Sequence, residues 1–501
     1  MKLHFEPAAG VDVPQLVDAL CAQSGVLSEG WNTERRWYLE TFDGRLAAAK
    51  QVLSVVKRPR LGTEIQLRTL AGETTEQLTS ELAMPQFASQ FRPGRMQLRL
   101  AQITLGRALL PRAVGQLKVL RCQCQDATGK LLAGLQLEVG RGRQPRVVLR
   151  VCPARGFERA TQRVLRPFLA LGLVVPLKAD AAAPLLQHAG LARCAYTCKP
   201  LIRLRPQLAA APAVAQVLSA YTHSLRANEG GIVADLDGEF LHDYRVVLRC
   251  LRAWLGDLKP CMAQPPLRAL RAGLTTLNRL TGKLRDLDVL TRQLDAYLAQ
   301  GDGMTPTIPL RERLATCRAQ AHTELAAHLK SPVYRSFQRQ WTGFLAALTA
   351  GKHPGRGSHL PIRDLVRRAI GKRRARVLAF DPALAQTNPS ALHELRKNCK
   401  RLRYLLEGFA LLFARGPLRL AVEELKNLQR TLGETWDLHV HLGLLTRLCA
   451  EVPGGAPLVV VLGARLCSLE AQQVVLVVAA IGHFRSPQAQ RPYADLLARA
   501  A

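Results

Sequence analysis

The chain is short of aromatic residues, of acidic residues and of long uncharged apolar runs, and each shortage removes a class of function. Aromatic residues make up 5% of its 501 positions, a poor supply of the stacking platforms that hold single-stranded nucleic acid, which argues against such a partner. No uncharged apolar run reaches the roughly 18 residues a membrane span needs; the nearest, Val474 to Gly482, is far shorter. The opening residues show no basic segment followed by a long apolar stretch, which argues against a secretory leader. Among the 12 cysteines the only close pairs are Cys122/Cys124 and Cys194/Cys198. Neither has a second pair at zinc-ribbon spacing, so they read as reduced, mostly buried small apolar residues. These absences predict a cytoplasmic protein with no metal, no cofactor and no membrane partner.

What the sequence has in excess is positive charge. Lys and Arg total 70 against 38 Asp and Glu, a formal charge of +32 with a pI near 10.5. A compact chain so charged repels itself unless an anionic partner compensates. At 48% hydrophobic content the chain has ample material for cores, and its length suits two to four domains.

The two ends differ in texture. Up to about residue 205, short runs of β-like composition recur: Gln51–Val56, Glu64–Arg68, Met96–Thr104, Leu117–Gln125, Leu131–Val139 and Val147–Val151. Several alternate apolar with polar residues, and Asp126-Ala-Thr-Gly129 reads as a hairpin loop. With helices near Val13–Gln23 and Phe157–Leu171, this predicts an antiparallel, barrel-like β domain over 1–205. Residues 206–501 are Leu/Ala/Arg-rich helices broken by Pro and Gly. The expected class is therefore α+β multidomain, with Gly351–Pro361 as an exposed linker.

The helical part is duplicated at an offset of 151 residues. Leu241-His-Asp-Tyr-Arg-Val-Val-Leu-Arg-Cys-Leu-Arg252 pairs with Leu392-His-Glu-Leu-Arg-Lys-Asn-Cys-Lys-Arg-Leu-Arg403, and Gly282–Val289 with Gly433–Val440. The repeats are placed at about 213–345 and 362–501, with a linker at 346–361. In each copy a His is followed by cations at +3, +7 and +10: His242, Arg245, Arg249 and Arg252, then His393, Arg396, Lys400 and Arg403. On a helix these fall within a band of about 80°, opposite Leu248, Leu251 and Leu255 in one copy and Leu395, Leu402 and Leu406 in the other. Each stripe is about 15 Å long, which suits an extended polyanion better than a single phosphate ester. Arg offers planar multidentate donors to phosphate, Lys a point charge. The helix after Pro361 adds cations on all sides, so only a subset faces a shared ligand; Arg363, Arg367 and Arg374 are the candidates. Asp286 and Asp437, one per copy, read as partners that hold an Arg in place.

This duplicated His-x-x-Arg helix, with Arg-Asp-Leu-Asp-Val in the next helix and Leu-Arg-Lys-x-x-Lys-Arg-Leu-Arg-Tyr in the second copy, resembles the CHAD family over about residues 213–501. The resemblance implies two four-helix bundles related by a pseudo-twofold axis around a basic groove that binds inorganic polyphosphate, often at polyphosphate granules, with granule-associated proteins as partners. The family's basic positions fall on His242, Arg245, Arg249, Arg252, His393, Arg396, Lys400, Arg401 and Arg403, with Lys397 alongside. One departure is His439 where the first copy has Asp288.

The N-terminal part is similar in outline to the CYTH family, a triphosphate tunnel barrel, at Tyr38–Leu46, Val147–Gly156 and Lys178. That family opens with Glu-x-Glu-x-Lys, where carboxylates bind metal; here the register gives Lys2, His4 and Glu6, and Arg150 stands where a carboxylate is usual. Basic side chains cannot ligate Mg²⁺, so the expectation is a degenerate, non-catalytic barrel. The alternatives are a metal-dependent triphosphatase or polyphosphatase using Glu64, Glu138 or other barrel carboxylates, and a nucleic-acid-binding protein.

Overall fold

The computed structural model describes residues 4–58, 62–69, 74–80, 84–140, 147–176, 196–299, 307–352, 355–384 and 388–498. Lys2 and Lys178 lie outside them. The chain divides into two compact units, Met1–Tyr196 and Thr197–Ala501.

The first unit is one antiparallel sheet. Its strands are β1 His4–Pro7, β2 Val26–Glu40, β3 Gln51–Arg58, β4 Gly62–Thr69, β5 Thr74–Ser80, β6 Leu110–Gln125, β7 Leu131–Gly140, β8 Val147–Pro153 and β9 Val174–Pro176, ordered β5-β4-β3-β2-β6-β7-β8-β1-β9. Alternation along each strand gives the sheet two unlike faces. One is apolar and lies under helices. Leu120, Cys122, Leu135, Leu149 and Val151 pack with α1 (Val13–Cys21) and α4 (Glu158–Ala170). Leu39, Leu53, Val55, Ile65 and Leu67 pack with α2 (Arg45–Ala48) and α3 (Arg95–Thr104). The other face carries His4, Arg36, Arg68, Glu138 and Arg150. Arg68 on β4 and Arg150 on β8 are five strands apart in sheet order, yet the charge of Arg150 depresses the Arg68 pKa. The sheet therefore curls around this polar face.

The Asp126–Gly129 hairpin forms as expected, with Asp126 Oδ1 accepting from Thr128 N at 2.9 Å and Lys130 N at 3.0 Å, and Gly129 at φ +81°. Met96–Thr104, expected as a strand, is helix α3. Its buried residues are Met96, Leu100 and Thr104, at helical spacing, while Leu98 is 61% exposed. Strands β1, β2 and β5 had no clear alternation to announce them; most of the first half of β2 is solvent-exposed.

The second unit is helical: α5 Ala210–Ala227, α6 Glu229–Val233, α7 Gly238–Asp257, α8 Gln264–Leu298, α9 Thr307–Lys330, α10 Pro332–Thr349, α11 Ile362–Leu378, α12 Pro389–Gly408, α13 Arg415–Thr431, α14 Glu434–Ala450, α15 Ala456–Arg485 and α16 Pro487–Leu497. The 151-residue offset survives in three dimensions, since α5 corresponds to α11 and α7 to α12. Even the N-caps agree: Asp237 accepts from Glu239 N and Phe240 N, and its mate Asn388 accepts from Ala391 N. The copies differ after that. α8 runs unbroken for 35 residues, whereas its counterpart is split into α13 and α14 at Leu432-Gly433.

Helices α7 and α12 cross closely. Gly408 lies against the Trp254 ring, where a Cβ would come within 2.1 Å of Cζ2, and a Cβ on Gly256 would meet Arg401 Nη2 at 2.5 Å. Trp254 Nε1 donates to Tyr404 O at 3.3 Å, and its ring meets Phe409 edge-on. The offset mates of Gly256 and Arg401 are Glu407 and Cys250, and the Glu407 charge is felt at the Cys250 thiol. Such reciprocal contacts are the mark of a twofold relation between like surfaces.

One expectation is corrected here. The Gly351–Pro361 segment is not a free linker in its described part. Gly357 N donates to Pro260 O at 2.8 Å, Ala211 N to Ser358 O at 3.1 Å and Ala210 N to Leu360 O at 2.9 Å, and Ser358 is buried. Its Gly content serves close approach: a Cβ on Gly355 would sit 2.4 Å from Pro260 O. Helix α15 is, by length and composition, long and apolar enough to cross a membrane. Counting only uncharged runs missed it because Arg465 and Glu470 interrupt them.

Candidate functional site

Helices α7 and α12 bury their leucines and turn their cations to one side. Leu248, Leu251 and Leu255 are at most 1% exposed, and Leu395, Leu402 and Leu406 at most 2%. The crossing of the two helices brings both basic stripes to one groove of about 680 Å³. From the first copy come Arg245, Arg249 and Arg252 on α7, then Arg271, Thr275 and Asn278 on α8. From the second come His393, Lys397, Lys400 and Arg401 on α12, then Arg373 and Arg376 on α11. Among the described residues, nine Lys and Arg side chains line this groove with one carboxylate, Glu394, which is ion-paired with Lys397.

Several of these cations are fixed in place. Arg245 Nη1 donates to Thr281 Oγ1 at 3.2 Å and Asn278 O at 3.3 Å, and Arg249 Nε to Arg245 O at 3.1 Å. Asp257, 4% exposed, anchors two more: Arg401 Nη2 reaches Oδ1 at 2.7 Å and Arg401 Nε reaches Oδ2 at 3.1 Å, while Arg373 Nε reaches Oδ1 at 2.7 Å. The cations also oppose one another. Burial and then Arg249 lower the Arg245 pKa to about 10. Burial, Arg271 and Arg401 lower Arg252. Burial and then Lys397 lower the His393 pKa, and a nearby anion would favour its protonated form. The groove is a set of positioned donors whose mutual repulsion an anion would relieve.

Of the positions picked from the sequence, Arg245, Arg249, Arg252, His393, Lys397, Lys400 and Arg401 line the groove. Others point elsewhere. His242 Nδ1 lies 3.2 Å from Arg285 Nη2. Arg403 leans on Glu407 and the Tyr404 ring, and Arg396 is half-buried beyond the lining. Arg367 donates to Leu496 O at 3.2 Å, and Arg374 Nε to Gln490 Oε1 at 2.6 Å, so both face α16. Arg363, whose charge is felt by Arg367, does not line the groove. On this helix the groove takes Arg373 and Arg376 instead.

Sequence reasoning missed Arg271 and Asp257. Arg271 has Val422 at its offset position and Asp257 has Gly408, so a search for recurring residues passes over both. Asp286 does support an Arg, since its charge favours protonated Arg245; the Asp437 side chain lies outside what is described. Asp288 holds Arg318 Nε at 2.8 Å, a role its offset mate His439 cannot copy as a carboxylate.

The polar face of the N-terminal sheet has a different character. Arg36 and Glu138, each 1% exposed, pair at 3.0 Å, Arg150 reaches Glu138 at 3.2 Å, and Arg36 also meets Glu34 at 3.1 Å. Burial alone would raise the Glu138 carboxyl, but Arg150, Arg36 and Arg68 hold it far below its usual range. His4 is pushed down to about 4 by burial, then by Arg150 and Arg68. Glu64 accepts from Gln77 Nε2 at 2.8 Å. A divalent metal of the kind the CYTH resemblance implies does not fit this set: Glu138 is already committed to two guanidinium groups, and a third stands nearby. Among the described residues no three His, Cys, Asp or Glu side chains gather as a metal site.

Comparison with known proteins bears on the helical unit. Residues 216–446 match the CHAD domain family. The crystal structure of the CHAD domain from the plant Ricinus communis superposes with a TM-score of 0.50 at 23% identity, covering 59% of this chain and 99% of that one. PptA from Streptomyces chartreusis aligns with a TM-score of 0.38 at 17% identity, over 54% of this chain and 97% of its own. No curated protein sequence matches the chain. Within the helical unit, residues 216–446 are thus a CHAD domain.

Proposed function

We propose that the protein binds inorganic polyphosphate in the groove between α7 and α12. The observation that carries this reading is the convergence of nine Lys and Arg side chains from both copies on one cleft that has, among the described residues, a single carboxylate. A linear polyanion of repeating phosphates can meet many such donors at once, where a single phosphate ester would leave most repulsion unrelieved. The reading also puts the protein in the cytoplasm, at polyphosphate granules.

Two measurements test it. Long-chain polyphosphate added to the full-length protein should raise its melting temperature, because a ligand that binds only the folded state stabilises it. Affinity should fall steeply as salt rises, through counterion release. Equal or tighter binding to duplex DNA at matched salt would favour a nucleic-acid partner instead.

We further propose that the N-terminal sheet is non-catalytic. Incubated with Mg²⁺ or Mn²⁺, the full-length protein should release phosphate from triphosphate, ATP or polyphosphate no faster than buffer. The reasoning is that Arg36 and Arg150 occupy the carboxylate a metal would need. Turnover that disappears in Glu64→Gln or Glu138→Gln would make the unit an enzyme and overturn this.

A further inference from the structure

The two copies share the groove, but one face of α8 continues past it in the first copy alone. Arg271, Thr275 and Asn278 recur at steps of four and three, and the same steps lead through Gly282 to Arg285 and Arg292. Helix α7 runs alongside in the opposite direction. A Cβ on Gly282 would stand 3.2 Å from Arg245 Nη1, Arg285 Nη2 is 3.2 Å from His242 Nδ1, and Arg292 Nη1 is 3.7 Å from Glu239. The charge of Arg249, which lines the groove, is felt at both His242 and Arg285, so the extension is electrostatically continuous with the groove.

Glu239 and Asp288 offset part of the Arg285 charge, but burial and then Arg292 outweigh them and its pKa lies below the ordinary value. Asp288 and Asp235 are both bonded to Arg318, and Glu239 faces Arg292. The Arg285 guanidinium itself bonds neutral acceptors, Gly238 O at 3.3 Å and His242 Nδ1. With Nδ1 accepting, His242 carries its proton on Nε2 as a further donor. At the offset positions of Arg285 and Arg292 the second copy has Trp436 and Gly443, which offer no cation.

We infer that a polyphosphate longer than the groove leaves it along the α7–α8 hairpin of the first copy, with Arg285, His242 and Arg292 as its next contacts. This rests on the polyphosphate reading of the groove. From Arg271 to Arg292 the track measures about 31 Å at about 1.5 Å per residue. The second copy has Val422, Trp436 and Gly443 at the positions offset from Arg271, Arg285 and Arg292, so the track and any chain-length preference it gives belong to the first copy.

The test compares tripolyphosphate, short enough to stay within the groove, with long-chain polyphosphate on the full-length protein. Arg285→Gln with Arg292→Gln should weaken long-chain binding about tenfold and flatten its salt dependence by about one to two counterions, leaving tripolyphosphate affinity unchanged. Arg292→Glu alone, on a half-exposed side chain whose loss cannot unfold the helix, should weaken only the long chain. Equal losses for both ligands, or none for the long chain, would sink the track while leaving the groove intact. Wild-type protein that binds neither ligand would sink the groove itself and the track with it.

Discussion

Arg249→Glu combined with Lys400→Glu is expected to weaken polyphosphate binding by about 10²- to 10⁴-fold. Each replaced cation removes a charge-assisted contact worth about 1.5–3 kcal/mol, so two remove about 3–6 kcal/mol, before added repulsion from the new carboxylates. The two residues occupy equivalent positions in the two copies and both line the groove. They are better targets than Arg245, whose bonds to Asn278 O and Thr281 Oγ1 tie it to α8. The fold should survive, because reversal removes like-charge repulsion from a cluster that Arg249 itself strains. Isothermal titration of the double and both single variants, with a melting curve for each, checks the claim. If Arg249→Glu abolishes binding and Lys400→Glu leaves it untouched, one copy alone holds the ligand and the shared groove is wrong.

Asp257→Ala should be the most destabilising change in the helical unit short of breaking its core, by about 3–5 kcal/mol. Arg373 is buried and Arg401 is partly so, and both depend on this carboxylate; removing it strands them as unpaired charges. The melting temperature should drop, and long-chain polyphosphate should then raise it by more than it does in wild type, since the anion supplies the lost counter-charge. Asp257→Asn, which keeps the shape and part of the hydrogen bonding, should fall between. A variant that melts with wild type would mean that solvent already screens the two arginines.

The basic groove was legible in the sequence because the duplication wrote it twice. Arg249 and Lys400 stand at one offset, and helical spacing placed them opposite the buried leucines. Legibility failed where the copies diverge. Arg271 lines the groove and Asp257 holds two of its cations, neither with a recurring partner, and the cations of α11 could not be sorted by sequence because they surround the helix; only packing against α16 shows Arg374 and Arg367 turned away. In the first unit, Met96, Leu98 and Leu100 imitate strand alternation, yet Leu98 is exposed and Met96 and Leu100 lie one helical turn apart on the buried side. The polar lining of the sheet was visible only as scattered charges, because its pairs join residues about a hundred positions apart, such as Arg36 and Glu138.

The twofold crossing of α7 over α12 also bears on what kind of polymer the groove can read. A nucleic-acid strand has a 5′ and a 3′ end, so a site with two matching halves presents one half with the strand reversed. A chain of identical phosphates has no heading. It looks the same entered from either end, and each half of a twofold cleft meets the same oxygens in the same order. The near-twofold relation seen in the Gly256–Arg401 and Glu407–Cys250 pairs therefore suits a ligand without direction, one that the proposed polyphosphate would be.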